Sequence, residues 1–163
     1  MSQPIAYEDA VDLLDADHKA VKKLFIDYNA LCEDEAPPAQ KQAIARRICQ
    51  ALTVHAQLEE EVFYPAVRQA IGDDALMDEA MLEHAQAKDL IAQIEGMAPD
   101  DDAYDDTVKE LGKDIDQHVL EEREQIFLKA QFADLDLRGM VPELVKRKQQ
   151  LQKKAQAGRK EPA

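Results

Sequence analysis

Tryptophan is absent from this 163-residue chain, glycine occurs only five times, and no apolar run approaches the roughly 18 residues of a membrane span. Scarce glycine without alternating β-branched stretches argues against a sheet protein. Basic residues are in short supply, 20 Lys and Arg against 34 Asp and Glu, and the formal net charge is −14. Polyanion binding rests on clustered cations, so nucleic acid is excluded as the expected partner, and the missing apolar run excludes a membrane. The opening MSQPIAYEDAVDLL has no basic stretch followed by an apolar one, and a cytoplasmic location is the expectation.

Only two cysteines are present, Cys32 and Cys49. With a turn near residues 34–37 they differ in height by about 15 Å along paired helices, beyond the roughly 7 Å Cα limit of a disulfide, and both read as reduced packing residues.

What the chain does have is Ala, Leu, Glu, Gln, Lys and Asp in abundance, a helix-forming composition. After an N-terminal arm over residues 1–8, Val11, Leu14, His18, Val21 and Phe25 share one helical face, and EDEAPP stops that helix. The next helix runs to about Ala70, with Ile44, Ile48, His55, Glu59 and Val62 along one side. Gly72 and Asp73 end it and cap a third, which aligns Met77, Met81, His84, Ala87 and Ile91. The fourth runs from about Tyr104 to Phe132 and aligns Leu111, Ile115, His118, Glu122 and Ile126. Four long amphipathic helices with short connections predict an all-α, antiparallel up-down-up-down four-helix bundle over residues 1–133. Residues 134–163 add a short basic helix and a frayed tail. Its Lys146, Arg147, Lys148, Lys153, Lys154, Arg159 and Lys160 read as a solvated face, with docking onto the acidic bundle as the alternative.

Each of the four histidines lies on an apolar stripe, one per helix, and two of them begin the pattern His-x-x-x-Glu: His55 with Glu59 and His118 with Glu122. Side chains at i and i+4 share a helix face, so each pair can reach one metal ion. Counting residues from the turns puts His18, His55, Glu59, His84, His118 and Glu122 within one thin layer, broad enough for two ions. Asp17-His18 and Glu83-His84, each followed about 35 residues later by His-x-x-x-Glu, suggest two halves that each supply half a site. Imidazole nitrogen and carboxylate oxygen suit iron, with manganese or zinc next. Glu59 and Glu122 are placed to bridge the two cations and offset their repulsion. Such a donor set leaves room for water, an oxo or hydroxo bridge, or a small exogenous ligand. Glu60, Glu61 and Glu121 point off the stripe and read as solvated. Tyr7, Tyr28 and Tyr64 read as packing or boundary residues, each also able to offer a phenolate, and Lys88 reads as a surface lysine able to meet a bound anion.

His18, His55-x-x-x-Glu59, His84 and His118-x-x-x-Glu122, with DHKAVKKLF, HAQLEEEVFYPAV and EHAQAKDLI around them, resemble the hemerythrin-like (HHE cation-binding) domain over roughly residues 9–132. No histidine has Glu three residues before it, which sets aside the ferritin-like plan. The resemblance implies a hemerythrin-like bundle with a non-haem di-iron centre, histidines as terminal ligands and Glu59 and Glu122 as bridges. The oxygen carriers of the family have a further histidine four residues after the one in the third helix, and here that residue is Lys88; they also have aspartate where this chain has Glu122. The resemblance therefore points toward four-histidine relatives. It implies binding or sensing of oxygen or nitric oxide, with a peroxide-decomposing enzyme, or iron storage and donation for iron-sulfur repair, as alternatives.

Overall fold

The structure, a computed structural model, describes residues 7–159; residues 1–6 of the expected arm and 160–163 of the expected tail fall outside the described residues. The first helix, α1 (Ala10–Glu33), starts at Asp9, whose carboxylate accepts the Asp12 N–H at 2.9 Å and satisfies one of the free amides at the helix start. It ends before Pro37 and Pro38, and α2 (Pro38–Leu58) begins with a proline whose missing N–H costs nothing there. A π-helical turn (Glu59–Phe63) leads directly into α3 (Tyr64–Ile71). Gly72 closes this second rod at a left-handed φ of 65°, and the Asp73 carboxylate accepts the Leu76 N–H to open α4 (Asp74–Glu95). The last rod is α5 (Tyr104–Glu121), a second π turn (Glu122–Phe127) and α6 (Leu128–Phe132), and α7 (Val141–Arg159) follows. The expected all-helical bundle with an added C-terminal helix is what forms: α1 packs on α2, α4 on α5, and α7 lies against α2 and α1.

The core falls into two parts. Leu13, Leu14, Leu58, Phe63, Val67, Met77 and Phe127 form one cluster, and Val21, Phe25, Tyr28, Ile48, Leu52, Ile91 and Leu111 form the other. On each rod a histidine lies between side chains of the first cluster and side chains of the second: His18 between Leu14 and Val21, His55 between Leu58 and Leu52. A buried polar layer thus separates two apolar ones.

Two sequence expectations change. The C-terminal helix is not simply a solvated one: Leu144 and Leu151 are buried in the first cluster, and each such leucine contributes roughly 1.5–3 kcal/mol. Its cations meet the chain's own acids, Arg147 on Glu61 at 2.9 Å and Lys148 on Asp17 at 2.5 Å. In the second rod Val62 is only half-buried while Phe63 and Tyr64 are buried, because the π turn shifts the helical register after Glu59. Tyr7 and Tyr28 are packing residues, as expected; the Tyr28 hydroxyl donates to Asp105 at 2.6 Å. Both cysteines are free. Among the described residues no helix is long and apolar enough to cross a membrane.

Candidate metal centre

All six residues singled out in the sequence are buried and meet at the bundle centre. They form two groups, His18, His55, Glu59 and Glu122 on one side and His84, His118, Glu59 and Glu122 on the other, with potential donor atoms in each group within 4.8 Å of one another. Both groups share both glutamates. His18 Nε2 lies 3.1 Å from His55 Nε2 and 3.0 Å from Glu122 Oε1, and His84 Nε2 lies 3.1 Å from Glu59 Oε1. The halves resemble each other in ring geometry as well: His18 and His55 cross at 65° with centroids 4.8 Å apart, His84 and His118 at 68° and 5.0 Å.

Every imidazole turns its Nδ1 outward to a carboxylate: His18 to Asp15 at 3.3 Å, His55 to Asp17 at 2.9 Å, His84 to Glu60 at 2.8 Å and His118 to Glu83 at 2.6 Å. An ionised carboxylate only accepts, so each Nδ1 carries the proton and each Nε2 faces the centre. Acids behind histidines in this way fix the tautomer and strengthen the imidazole as a donor to metal. The repeated dyads Asp17-His18 and Glu83-His84 now have a physical role, since each acid supports the histidine of the neighbouring helix rather than its own neighbour in sequence. Glu60 departs from the solvated face that the sequence predicts: it accepts from His84 Nδ1 and takes Lys88 Nζ at 2.7 Å. Glu61 does lie on the surface, paired with Arg147. Lys88 is accordingly committed to Glu60.

Tyr64 is the residue whose place in the centre the sequence reading underrated. At α-helical spacing it would lie about 140° around the helix from Glu59. The π turn, closed by the Tyr64 N–H on the Glu59 carbonyl, brings i+5 back toward the same face. Its hydroxyl donates to Glu122, and lies 3.3 Å from Glu59 Oε1, 3.3 Å from His84 Nε2 and 3.4 Å from His118 Nε2. A usable signal was present in Glu59-Glu-Glu-Val-Phe-Tyr64, but only for a reader who allows the register to slip.

The donor count decides whether cations fit. Four inward nitrogens and four carboxylate oxygens converge here, and Tyr64 brings one proton to them. Glu59 Oε2 and Glu122 Oε1 have no hydrogen-bond partner although both are buried, an arrangement that costs free energy unless positive charge meets them. In the metal-free protein that charge comes from protons. Burial pulls the His118 imidazole down, but Glu122, Glu59 and Glu83 outweigh it and push it up to about 9. Burial is opposed and outweighed in the same way at His55, by Glu59 and Asp17, and at His84, by Glu59 and Glu60; both are raised. Burial works against ionisation of Glu122 as well, yet the His118 and His18 imidazoles beside it hold it well below the usual carboxylate range. Burial and the two glutamates push the Tyr64 phenol well above its ordinary value and keep it protonated. The residues present fit two divalent cations, one per group.

On the side facing the second core cluster, all four histidines line a cavity of about 40 Å³, walled by Val21, Leu52, Ala87, Ile91 and Ile115 among others. Its polar neighbours are already engaged: Thr53 donates to the Cys49 carbonyl, Lys88 to Glu60, and Asp17 accepts from His55 and Lys148.

A family model for the hemerythrin HHE cation-binding domain matches residues 9–130. The chain belongs to this family. It is a metal-binding domain, and its buried histidine and glutamate groups are of a kind that could hold metal ions. Among solved structures, a hemerythrin HHE cation-binding domain-containing protein from Mycobacterium kansasii shares the fold with a TM-score of 0.72 at 20% identity, over 88% of this chain and 86% of that one. A curated protein of Nostoc sp., described as a DNA nickase, is 31% identical over 116 residues. That match takes in 71% of this HHE chain and 32% of the relative, so the chain spans about a third of the length of that protein.

Proposed function

We propose that this HHE domain holds two iron ions and binds, and so senses, a neutral diatomic molecule, dioxygen or nitric oxide, at the cavity over its four imidazoles. The observation that carries the reading is the cavity itself. At about 40 Å³ it is small, yet above the roughly 10–15 Å³ that one water needs, so it has room for a guest of a few atoms. Its walls are apolar and the polar groups beside it are spoken for, so it favours a small uncharged guest over a polar or ionic one.

In this reading His18 and His55 serve one ion, His84 and His118 the other, and Glu59 and Glu122 bridge them; nitrogen and oxygen donors of this kind suit iron. Iron held there would supply a redox-active Lewis-acid pair able to take up a diatomic ligand. The chain's own residues do the rest. Asp15, Asp17, Glu60 and Glu83 hold the imidazoles in one orientation, the apolar walls keep bulk water away, and Tyr64 holds a proton against Glu122.

A second reading, decomposition of peroxide, has Tyr64 in its favour, because a phenol hydrogen-bonded within the centre can hand a proton to a reduced oxygen species. The nickase activity of the Nostoc protein is not carried over: a net charge of −14 opposes a polyanionic substrate, and two of the cations of α7 are paired with acids of the bundle.

The test is anaerobic reconstitution with ferrous iron, followed by nitric oxide, oxygen and peroxide in separate samples. Close to two irons per chain, an optical change that saturates with nitric oxide, and no sustained oxygen evolution from peroxide are expected. Sustained evolution would move the assignment to the peroxide enzyme. Failure to retain iron would remove the centre from the proposal altogether.

A further inference from the structure

Outside the four rods, α7 sends one charged side chain down to the polar layer. Lys148 lies on the same face as Leu144, four residues before it, and Leu151, three after, and both leucines are buried. The face that anchors the helix therefore also delivers the lysine. Lys148 Nζ sits 2.5 Å from Asp17 Oδ1, while Asp17 Oδ2 lies 2.9 Å from Nδ1 of His55. Both charged side chains are largely buried, Asp17 at 11% exposure and Lys148 at 24%.

The other half of the centre is built differently. Glu83 stands where Asp17 stands, one residue before the histidine of its own helix, and supports His118 at 2.6 Å. Its neighbours are Glu79 and Glu121, and among the described residues no lysine or arginine forms an ion pair with it. Of the two equivalent carboxylates, one is tied to a cation from α7 and the other is surrounded by acids.

We propose that Lys148 is a positioning residue that acts through Asp17 to hold His55, and that it makes the two metal positions unequal. The inference rests on the two-ion reading above. Without Lys148, the largely buried Asp17 carboxylate loses its charge partner and the contact that fixes its orientation, so it turns toward water and the hydrogen bond that holds His55 is weakened. Loss of such a supporting group lowers metal affinity by about 10- to 100-fold. The loss falls on the ion served by His18 and His55, because among the described residues the His84 and His118 supports, Glu60 and Glu83, form no ion pair with α7.

The experiment titrates the full-length, metal-free protein with Co²⁺ under anaerobic conditions and reads d–d absorption, in wild type, Lys148→Met, Lys148→Arg, Arg147→Ala and Glu83→Gln. Wild type is expected to take two ions. Lys148→Met should keep one near wild-type affinity and weaken the other about 10-fold or more, with an altered spectrum for the weakened ion. Lys148→Arg should restore the wild-type pattern. Arg147→Ala, which removes a docking contact of the same helix to an acid that supports no histidine, should change neither ion. Glu83→Gln should weaken the ion that Lys148→Met spares. Unchanged affinities in Lys148→Met, equal weakening of both ions, or the same effect from Arg147→Ala would overturn the proposal. A wild-type protein that takes no Co²⁺ would overturn the two-ion reading, and this inference with it.

Discussion

Tyr64 and Phe127 occupy equivalent places in the two halves of the centre, each five residues beyond its glutamate, Tyr64 just past one π turn and Phe127 at the end of the other. The Tyr64 ring lies 5.2 Å from that of His84, and the Phe127 ring is stacked 5.8 Å from that of His18. The two halves thus share a backbone device and differ at this place by one hydroxyl. Among the described residues it is the one hydroxyl hydrogen-bonded to the two glutamates, and its place beside His84 and His118 gives one half a group that the other half lacks.

Tyr64→Phe makes the halves alike at this place. Iron content should stay near that of wild type, since all six histidine and glutamate side chains remain. The metal-free protein should lose about 1–3 kcal/mol, because Glu122 is left buried without that donor. Urea unfolding of the metal-free protein and iron analysis after reconstitution check the two statements separately. Iron loss as deep as that of Glu59→Ala would make the phenol an indispensable donor.

Glu59→Ala and Glu122→Ala should each abolish stable uptake of the second ion, since both potential donor groups use both carboxylates. Glu60→Ala should have a smaller effect, about tenfold in affinity, because Glu60 acts through His84. Glu61→Ala, one residue further along the chain, should have none, since Glu61 faces Arg147. Metal titration of the four variants orders them; equal losses for Glu60→Ala and Glu61→Ala would contradict the supporting role of Glu60.

Much of this centre was legible because α-helical spacing is regular and the turns carry clear stop signals. Counting from EDEAPP levels His18 with His55, counting from Gly72 levels Glu59 with His84, and counting from the break at residues 96–102 levels His84 with His118. The same regularity concealed Tyr64: extrapolation at 3.6 residues per turn carries Val62 into the stripe and turns Tyr64 aside, and nothing local announces a π turn. The supports Asp15, Asp17, Glu60 and Glu83 were hidden for another reason. They are four among 34 acidic residues, and only the packing of one helix on the next distinguishes them from solvated ones. Docking of α7 rests on Leu144 and Leu151, two leucines in a strongly basic stretch, a pattern too sparse to outweigh its charge.

The proton load of the metal-free centre sets a pH dependence. The His118 imidazole is held at about 9, above the ordinary value near 6.5 that it has in the unfolded chain. A group raised on folding contributes stability that is fully present below the unfolded pKa and is lost as pH rises through the folded one. Urea unfolding of metal-free protein should therefore show stability falling between about pH 6.5 and pH 9. Metal-loaded protein should lack that loss, because the cation takes the place of the proton. Parallel curves for the two forms would mean that His118 carries no excess proton in the metal-free state.

The cavity gives the sharpest separation between holding metal and binding a ligand. Ala87 lies in its wall and offers no side-chain donor to a metal or to a histidine. Ala87→Leu adds three carbon atoms beside a space of about 40 Å³, and each is comparable with a water whose share of the liquid is about 30 Å³, so the cavity closes. Overpacking of this kind costs about 1–3 kcal/mol, which a buried two-cluster core can absorb. Iron content should be unchanged, while the response to nitric oxide slows at least about tenfold or disappears. Rapid mixing of reconstituted variant and wild type with nitric oxide reads the difference directly. A variant that keeps its iron and responds at the wild-type rate would show that ligand reaches the ions from the Tyr64 and Phe127 side, and the cavity would then lose its place in the proposed function.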